Sequence, residues 1–214
     1  MAPTRFQRFE ARFYSAIAPR LYDRIVVSLG FKLLAGRLHE KVLAQGARAV
    51  QAAGPKPILD LPVGTAYFTL RWGCGASVVG VDIAGGMVEQ ARARVAAAGI
   101  QWLTPVQADV RKLPFGDKCF GAIMCTNGLQ VMPPLPVALA ELRRVLNHAG
   151  TLFVCMILFP VGALLPEVAR RHLPTLFLSR KQVLATFHDI GWKITAADRS
   201  RLALLLEAKP PTEA

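Results

Sequence analysis

Short apolar runs alternate with amphipathic stretches along most of the chain. Ile58, Leu59 and Leu61 make the first run, the pattern of a buried parallel strand. Pro62 has no N–H to give a neighbouring strand, so the strand stops there. Thr65 is read as the N-cap of a helix through Tyr67, Phe68 and Leu70. Ser77–Val81 is a second buried run ending at Asp82. Met87–Ala98 has helical periodicity closed by Gly99. Gln101–Gln107 and Cys119–Cys125 read as the third and fourth strands. Leu135–Leu146 is a helix stopped by Asn147 and Gly150, and Thr151–Leu158 is the fifth strand. Ser179 N-caps a helix over Lys181–Ile190 that ends at Gly191. Lys193–Ala197 and Leu202–Ala208 form a closing hairpin. Strands alternating with helices at this spacing predict a doubly wound, mostly parallel α/β sheet with an antiparallel hairpin at its end.

The first fifty residues follow a different pattern. Phe6, Phe9, Phe13 and Ile17 recur at three and four residues and make one helical face, with Arg5, Arg8 and Arg12 on a neighbouring stripe. A second helical segment follows Pro19, and a third covers roughly Phe31–Ala53, with Gly54 and Pro55 as its stop signal. The predicted organisation is a helical cap over 1–54, a nucleotide-binding domain over 55–209 and a polar tail over 210–214. Val161–His172 reads as a short helix. The uncharged stretch Ala149–Pro166 approaches membrane-spanning length, but Pro160, Gly162 and Pro166 interrupt it, so no span is expected.

Composition narrows the chemistry. Hydrophobic residues make up 53% of the 214, enough for a sizeable core. The four cysteines form no CxxC pair, and no histidine sits at metal-ligand spacing, so reduced thiols, no metal site and a cytoplasmic location are expected. The net charge of +12 suits nucleic acid, an anionic membrane surface or an acidic partner.

Candidate chemistry gathers at the strand ends. Asp60, Asp82 and Asp109 each stand at the end of one of the first three strands, and ligands of doubly wound sheets bind beyond those ends. The loop after the first strand has Gly64 but not the three glycines that seat a pyrophosphate, which suits a nucleoside without phosphates. Asp82 can accept hydrogen bonds from two ribose hydroxyls. Asp109 can accept from an adenine amine, with Ile83, Met87 and Val110 as apolar surfaces for the ring.

With these residues in view, 57–155 resembles the class I S-adenosylmethionine-dependent methyltransferases, in the branch of the ubiquinone and menaquinone C-methyltransferases. The resemblance is carried by Ile58–Ala66, Val79–Ile83, Ala108–Phe115 and Ala138–Gly150. It implies a Rossmann-like methyltransferase fold and S-adenosyl-L-methionine as cofactor. Asp60, Leu61, Pro62, Gly64 and Thr65 would shape the methionine site, Asp82 with Ile83 and Met87 the ribose and adenine sites, and Asp109 with Val110 the adenine site. Cys125, Thr126 and Asn127 follow the fourth strand, where the family places cofactor and substrate contacts. The segment Tyr14–Asp23 is similar to the family's lid, with Tyr14 toward the cofactor and Tyr22 toward the substrate. The chain departs from the pattern at Pro62-Val63, at Ala66, which replaces a glycine, and at Gly121, where an aspartate is common; Gly121 is read as structural.

No residue declares itself a catalytic base. His148 and His188 sit at helix C-terminal ends, and His172 lies in the substrate segment. Phe159 through Leu178 is apolar with a basic patch, which predicts a small hydrophobic acceptor such as a quinone or lipid-like molecule, met at an anionic membrane surface. Two alternatives stay open here: an RNA methyltransferase, with nucleic acid disfavoured by the lack of a separate binding module, and a non-catalytic methyltransferase-like binding protein.

Overall fold

A computed structural model describes residues 38–72, 75–132, 134–158, 179–198 and 203–211. Helix α1 (Leu38–Ala53) buries Leu38, Val42, Gln45, Gly46, Ala49 and Ala53, a stripe at helical spacing. Gly46 is required by contact, because a Cβ there would lie 2.3 Å from the Trp72 ring. After α1 the chain enters β1 (Ile58–Asp60), then β2 (Val78–Asp82), α2 (Gly85–Ala97), β3 (Leu103–Gln107), β4 (Phe120–Thr126), α3 (Leu135–Val145), β5 (Leu146–Ile157), α4 (Arg180–Asp189), β6 (Lys193–Ala197) and β7 (Ala203–Lys209).

The seven strands form one sheet in the order β3-β2-β1-β4-β5-β7-β6. The first five are parallel, while β7 runs antiparallel to both β5 and β6. One apolar layer joins α3 and α4 to a face of the sheet through Leu139, Leu142, Val183 and Phe187. The other joins α1 and α2 to the opposite face through Val42, Ala49, Trp72 and Ala91. Helices on both faces make the sheet doubly wound, as the alternation predicts. No helix among the described residues is long and apolar enough to cross a membrane.

The structure corrects two local expectations. No helix follows Thr65: among 61–72 the helical structure is one 3-10 turn, Thr69–Arg71. Ala66 takes φ +60, a left-handed conformation that interrupts a right-handed helix. The buried Thr65 hydroxyl accepts from Arg94 Nη1 at 3.2 Å instead of capping a helix. The fifth strand begins at Leu146 rather than Thr151, because Leu146 pairs with Phe120 as soon as α3 ends, before a register shift near Gly121. The expected N-cap of α4 is present, and the structure adds a capping box in which the Ser179 side chain accepts from Gln182 N and the Gln182 side chain accepts from Ser179 N. Tyr14, Tyr22, Phe159, His172, the Phe6–Ile17 face and the expected helix at Val161–His172 lie outside the described residues.

Candidate cofactor and acceptor site

Parallel pairing brings the strand ends to one edge of the sheet. Asp60 is in register with Gly80 on β2 and Met124 on β4, and Asp82 with Gln107 on β3. The loop after β1 folds back over this edge. Gly64 N donates to Asp82 Oδ2 at 3.0 Å, and Ala84 N donates to Oδ1 at 2.9 Å. The Thr69 hydroxyl donates to Asp60. Gly64 has φ +53, and a Cβ there would meet nothing within 4 Å, so the loop has open space in front of it.

Both acids are buried. Burial pushes the Asp60 carboxyl up to about 7; Thr69 partly offsets this, and the nearby Asp82 charge adds to it. Burial also raises Asp82, to about 6, against the backbone N–H groups of Ala84 and Gly64. Each Asp82 oxygen accepts one of these two bonds and has capacity for another. Two ribose hydroxyls would supply the further donors and stabilise a charge that burial penalises. Near this edge Met87 and Val110 are buried and Ile83 is half-buried. The residues fit a nucleoside.

Asp109 is held differently. Arg111 donates to both of its oxygens through its side chain and to Oδ1 through its backbone N–H. Burial would raise the Asp109 carboxyl, but Arg111 outweighs it and holds the group below the ordinary carboxylate range. An adenine amine reaches this carboxylate only when Arg111 gives up part of its fork.

The rim after β4 packs on the rim after β1. A Cβ on Gly128 would lie 2.3 Å from Pro62 Cδ. Leu61 and Cys125 place their side chains in the core, so only their backbones face the edge. Burial, reinforced by the Asp60 charge, pushes the Cys125 thiol up to about 12, where it is no nucleophile at neutral pH. The Thr126 hydroxyl and Gln130 Oε1 are closed off from solvent without a hydrogen-bond partner. Asn127 bonds to Ile157 and Gln130.

Sequence reasoning missed Gln130 and a cluster of His39, Tyr67, Phe68 and Arg71. Tyr67 Oη lies 3.5 Å from His39 Nε2, and the Arg71 guanidinium sits 3.8 Å from the Tyr67 ring centroid. His39 and Tyr67 are 28 residues apart, and no local pattern pairs them. A cavity of about 510 Å³ opens at the opposite end of the sheet, between Arg143, His148, Trp192 and Pro210, and shares no residue with the strand-end acids.

A methyltransferase-domain family model matches residues 58–150. The chain is 32% identical over 217 residues to a demethylmenaquinone methyltransferase of Thermobifida fusca, covering 90% of this chain and 87% of that protein. It is 36% identical over 118 residues to one of Streptomyces avermitilis, covering 55% of this chain and only 49% of that protein. Among solved structures, a geranyl diphosphate C-methyltransferase of Streptomyces coelicolor superposes with a TM-score of 0.70 at 14% identity, covering 97% of this chain and 99% of that one. Identity that low speaks for a shared fold alone.

Proposed function

The chain belongs to the class I S-adenosylmethionine-dependent methyltransferases, quinone-methyltransferase-like branch, and from that membership we propose that it methylates a small hydrophobic acceptor of the quinol type. The observation that carries this reading is the Gly64–Asp82 junction, which joins the first loop to the ribose-type acid beside open space. When bound, S-adenosylmethionine supplies an electrophilic methyl on a sulfonium whose thioether leaves readily.

The protein's work is then binding, alignment and exclusion of water. Asp82 takes the ribose hydroxyls. Met87, Ile83 and Val110 flank the adenine, and Asp109 reads its amine after sharing Arg111. Asp60, the backbones of Leu61 and Pro62, Gly64 and Thr65 bound the methionine end, next to Cys125 and Thr126. Asn127 faces the acceptor. Tyr14, Tyr22, Phe159 and His172 complete the lid and acceptor walls in this proposal, and the basic stripe of the cap meets an anionic membrane surface in a cytoplasmic protein. The similarity to a demethylmenaquinone methyltransferase over 90% of the chain supports this reading over an RNA acceptor or a binding-only role.

Calorimetry and transfer assays test this. The wild type binds S-adenosylhomocysteine and methylates a 2-prenyl-1,4-naphthoquinol. Asp82→Ala loses about 2–3 kcal/mol of cofactor affinity, the worth of charge-assisted bonds to two hydroxyls. Unchanged affinity in a folded Asp82→Ala protein would remove the ribose assignment.

A further inference from the structure

We propose that Asn127 receives the oxygen of the acceptor through its side-chain amide, and that this amide selects acceptors bearing an oxygen anion over acceptors presenting an N–H. The proposal rests on the methyltransferase reading above and adds the acceptor's functional group to it.

Asn127 immediately follows β4 and has φ +53, a left-handed conformation that asparagine tolerates better than most residues. Its backbone N–H donates to the Cys155 carbonyl at 2.7 Å, which ties the turn to β5. Its Oδ1 accepts from Ile157 N at 3.1 Å and from Gln130 Nε2 at 3.3 Å. A backbone N–H can only donate, so the atom facing Ile157 must be the oxygen. Both lone pairs of that oxygen are then in use. What remains is the Nδ2 group with two N–H donors, on a half-buried residue at the rim where Gly128 packs on Pro62.

The neighbouring oxygens are less available than the Asn127 amide. The Thr126 hydroxyl and Gln130 Oε1 are closed off from solvent, and the buried Asp60 already accepts from Thr69. An aryl amine offers Asn127 only a delocalised, weakly accepting lone pair, and its own N–H groups find no acceptor on that amide. A phenolate or enolate would meet an N–H donor already in place.

The chemistry follows from that polarity. The quinol loses its hydroxyl proton to solvent, and the negative charge rests on the oxygen held by Asn127. The ring carbon next to it forms the bond to the methyl carbon. The C–S bond breaks with its electron pair on sulfur, and the ring carbon gives its proton to solvent as the oxygen regains its phenolic form and the ring its aromaticity. Donors already in place lower the cost of the anion.

The test uses the full chain with a 2-prenyl-1,4-naphthoquinol and its analogue carrying an amine in place of the reacting-side hydroxyl. Asn127→Asp keeps Oδ1 and replaces the donors by a carboxylate oxygen. S-adenosylhomocysteine affinity should stay within about twofold, while kcat for the quinol falls by about 100-fold at neutral pH. The apparent pKa of the transfer should rise, and the preference should shift toward the amine. Asn127→Gly, which tolerates the positive φ, should lose quinol turnover without gaining the amine. Quinol turnover within about threefold of wild type in both folded variants overturns the role of Asn127 and leaves the methyltransferase reading standing. A wild type that binds cofactor but leaves the quinol unmethylated overturns the acceptor class and Asn127 with it. A wild type that binds no cofactor overturns the methyltransferase reading itself.

Discussion

At the amino end of the sheet, Arg144 donates to Asp117, to Glu141 and to the carbonyls of Leu113 and Phe115, and Lys56 donates to the Lys118 carbonyl. At the carboxyl end, Asp60 has one hydroxyl partner, Asp82 has two backbone N–H groups, and two buried oxygens have none. The same strands run through both ends, so strand propensity does not explain the difference. The amino end pairs its charges with opposite charges, half-buried or open to solvent. The carboxyl end buries carboxylates whose protonation the burial itself favours. Spare accepting capacity on Asp82 and the costly buried charge are what a ligand of complementary donors would relieve, and sites of that kind are held against the fold's own stability.

The comparison predicts opposite responses to substitution at the two ends. The largest effect belongs to the amino end. Gly121 opens β4 beside the end of α1, and a Cβ on it would lie 2.0 Å from the Ala53 carbonyl oxygen. That neighbour is backbone and cannot swing aside. Gly121→Ala should therefore cost at least about 3 kcal/mol of stability by strand or helix displacement. Urea unfolding checks this, and a loss below about 1 kcal/mol would mean that the packing at this end is looser than described. The same contact explains why the family's usual aspartate is missing here: no side chain fits.

A smaller effect, of opposite sign, belongs to the carboxyl end. Asp60 and Asp82 have folded pKa values of about 7 and 6, above the ordinary 3.8. The folded state thus holds more protons than the unfolded one between pH 4 and 7, and stability falls as pH rises through that window. The ligand-free protein should be more stable near pH 4 than near pH 8 as far as these two groups decide. Asp60→Asn should flatten that slope and add about 2 kcal/mol at pH 8. Denaturant midpoints at several pH values measure it. A wild type whose stability rises steadily from pH 4 to 8, with Asp60→Asn following the same curve, would show that the carboxyl end is not strained by charge.

These responses also separate what the sequence made legible from what it did not. The strand-end acids could be found because apolar runs mark where strands stop, and parallel strands align their ends. Ser179 could be found because an N-cap is a local signal. Thr65 misled because the conformation of Ala66 is decided by packing of the loop, not by cap chemistry. Arg111 lies two residues from Asp109, yet whether it grips that carboxylate or turns to solvent depends on a fold the pattern does not contain. Asn127 and Ile157 are 30 positions apart, as His39 and Tyr67 are 28 apart. Contacts at such separations exist only after the sheet order is known.

The smallest effect tests the loop itself. Ala66 stands where the related pattern has glycine, and it adopts φ +60 in a fully buried position. A left-handed alanine costs about 1–2 kcal/mol, and glycine avoids that steric cost. Against this, Ala66→Gly removes a methyl from the apolar layer around Trp72 and Val63 and frees the unfolded chain. The balance leaves a gain of about 0.5 kcal/mol. Cofactor affinity should stay within about twofold, because Gly64 and Asp82 keep their bond whatever occupies position 66. Thermal unfolding with calorimetry on the same samples separates the two quantities. A loss of stability would mean that the methyl's packing outweighs the left-handed strain. A large change in affinity with unchanged stability would place Ala66 in contact with the ligand rather than behind the loop.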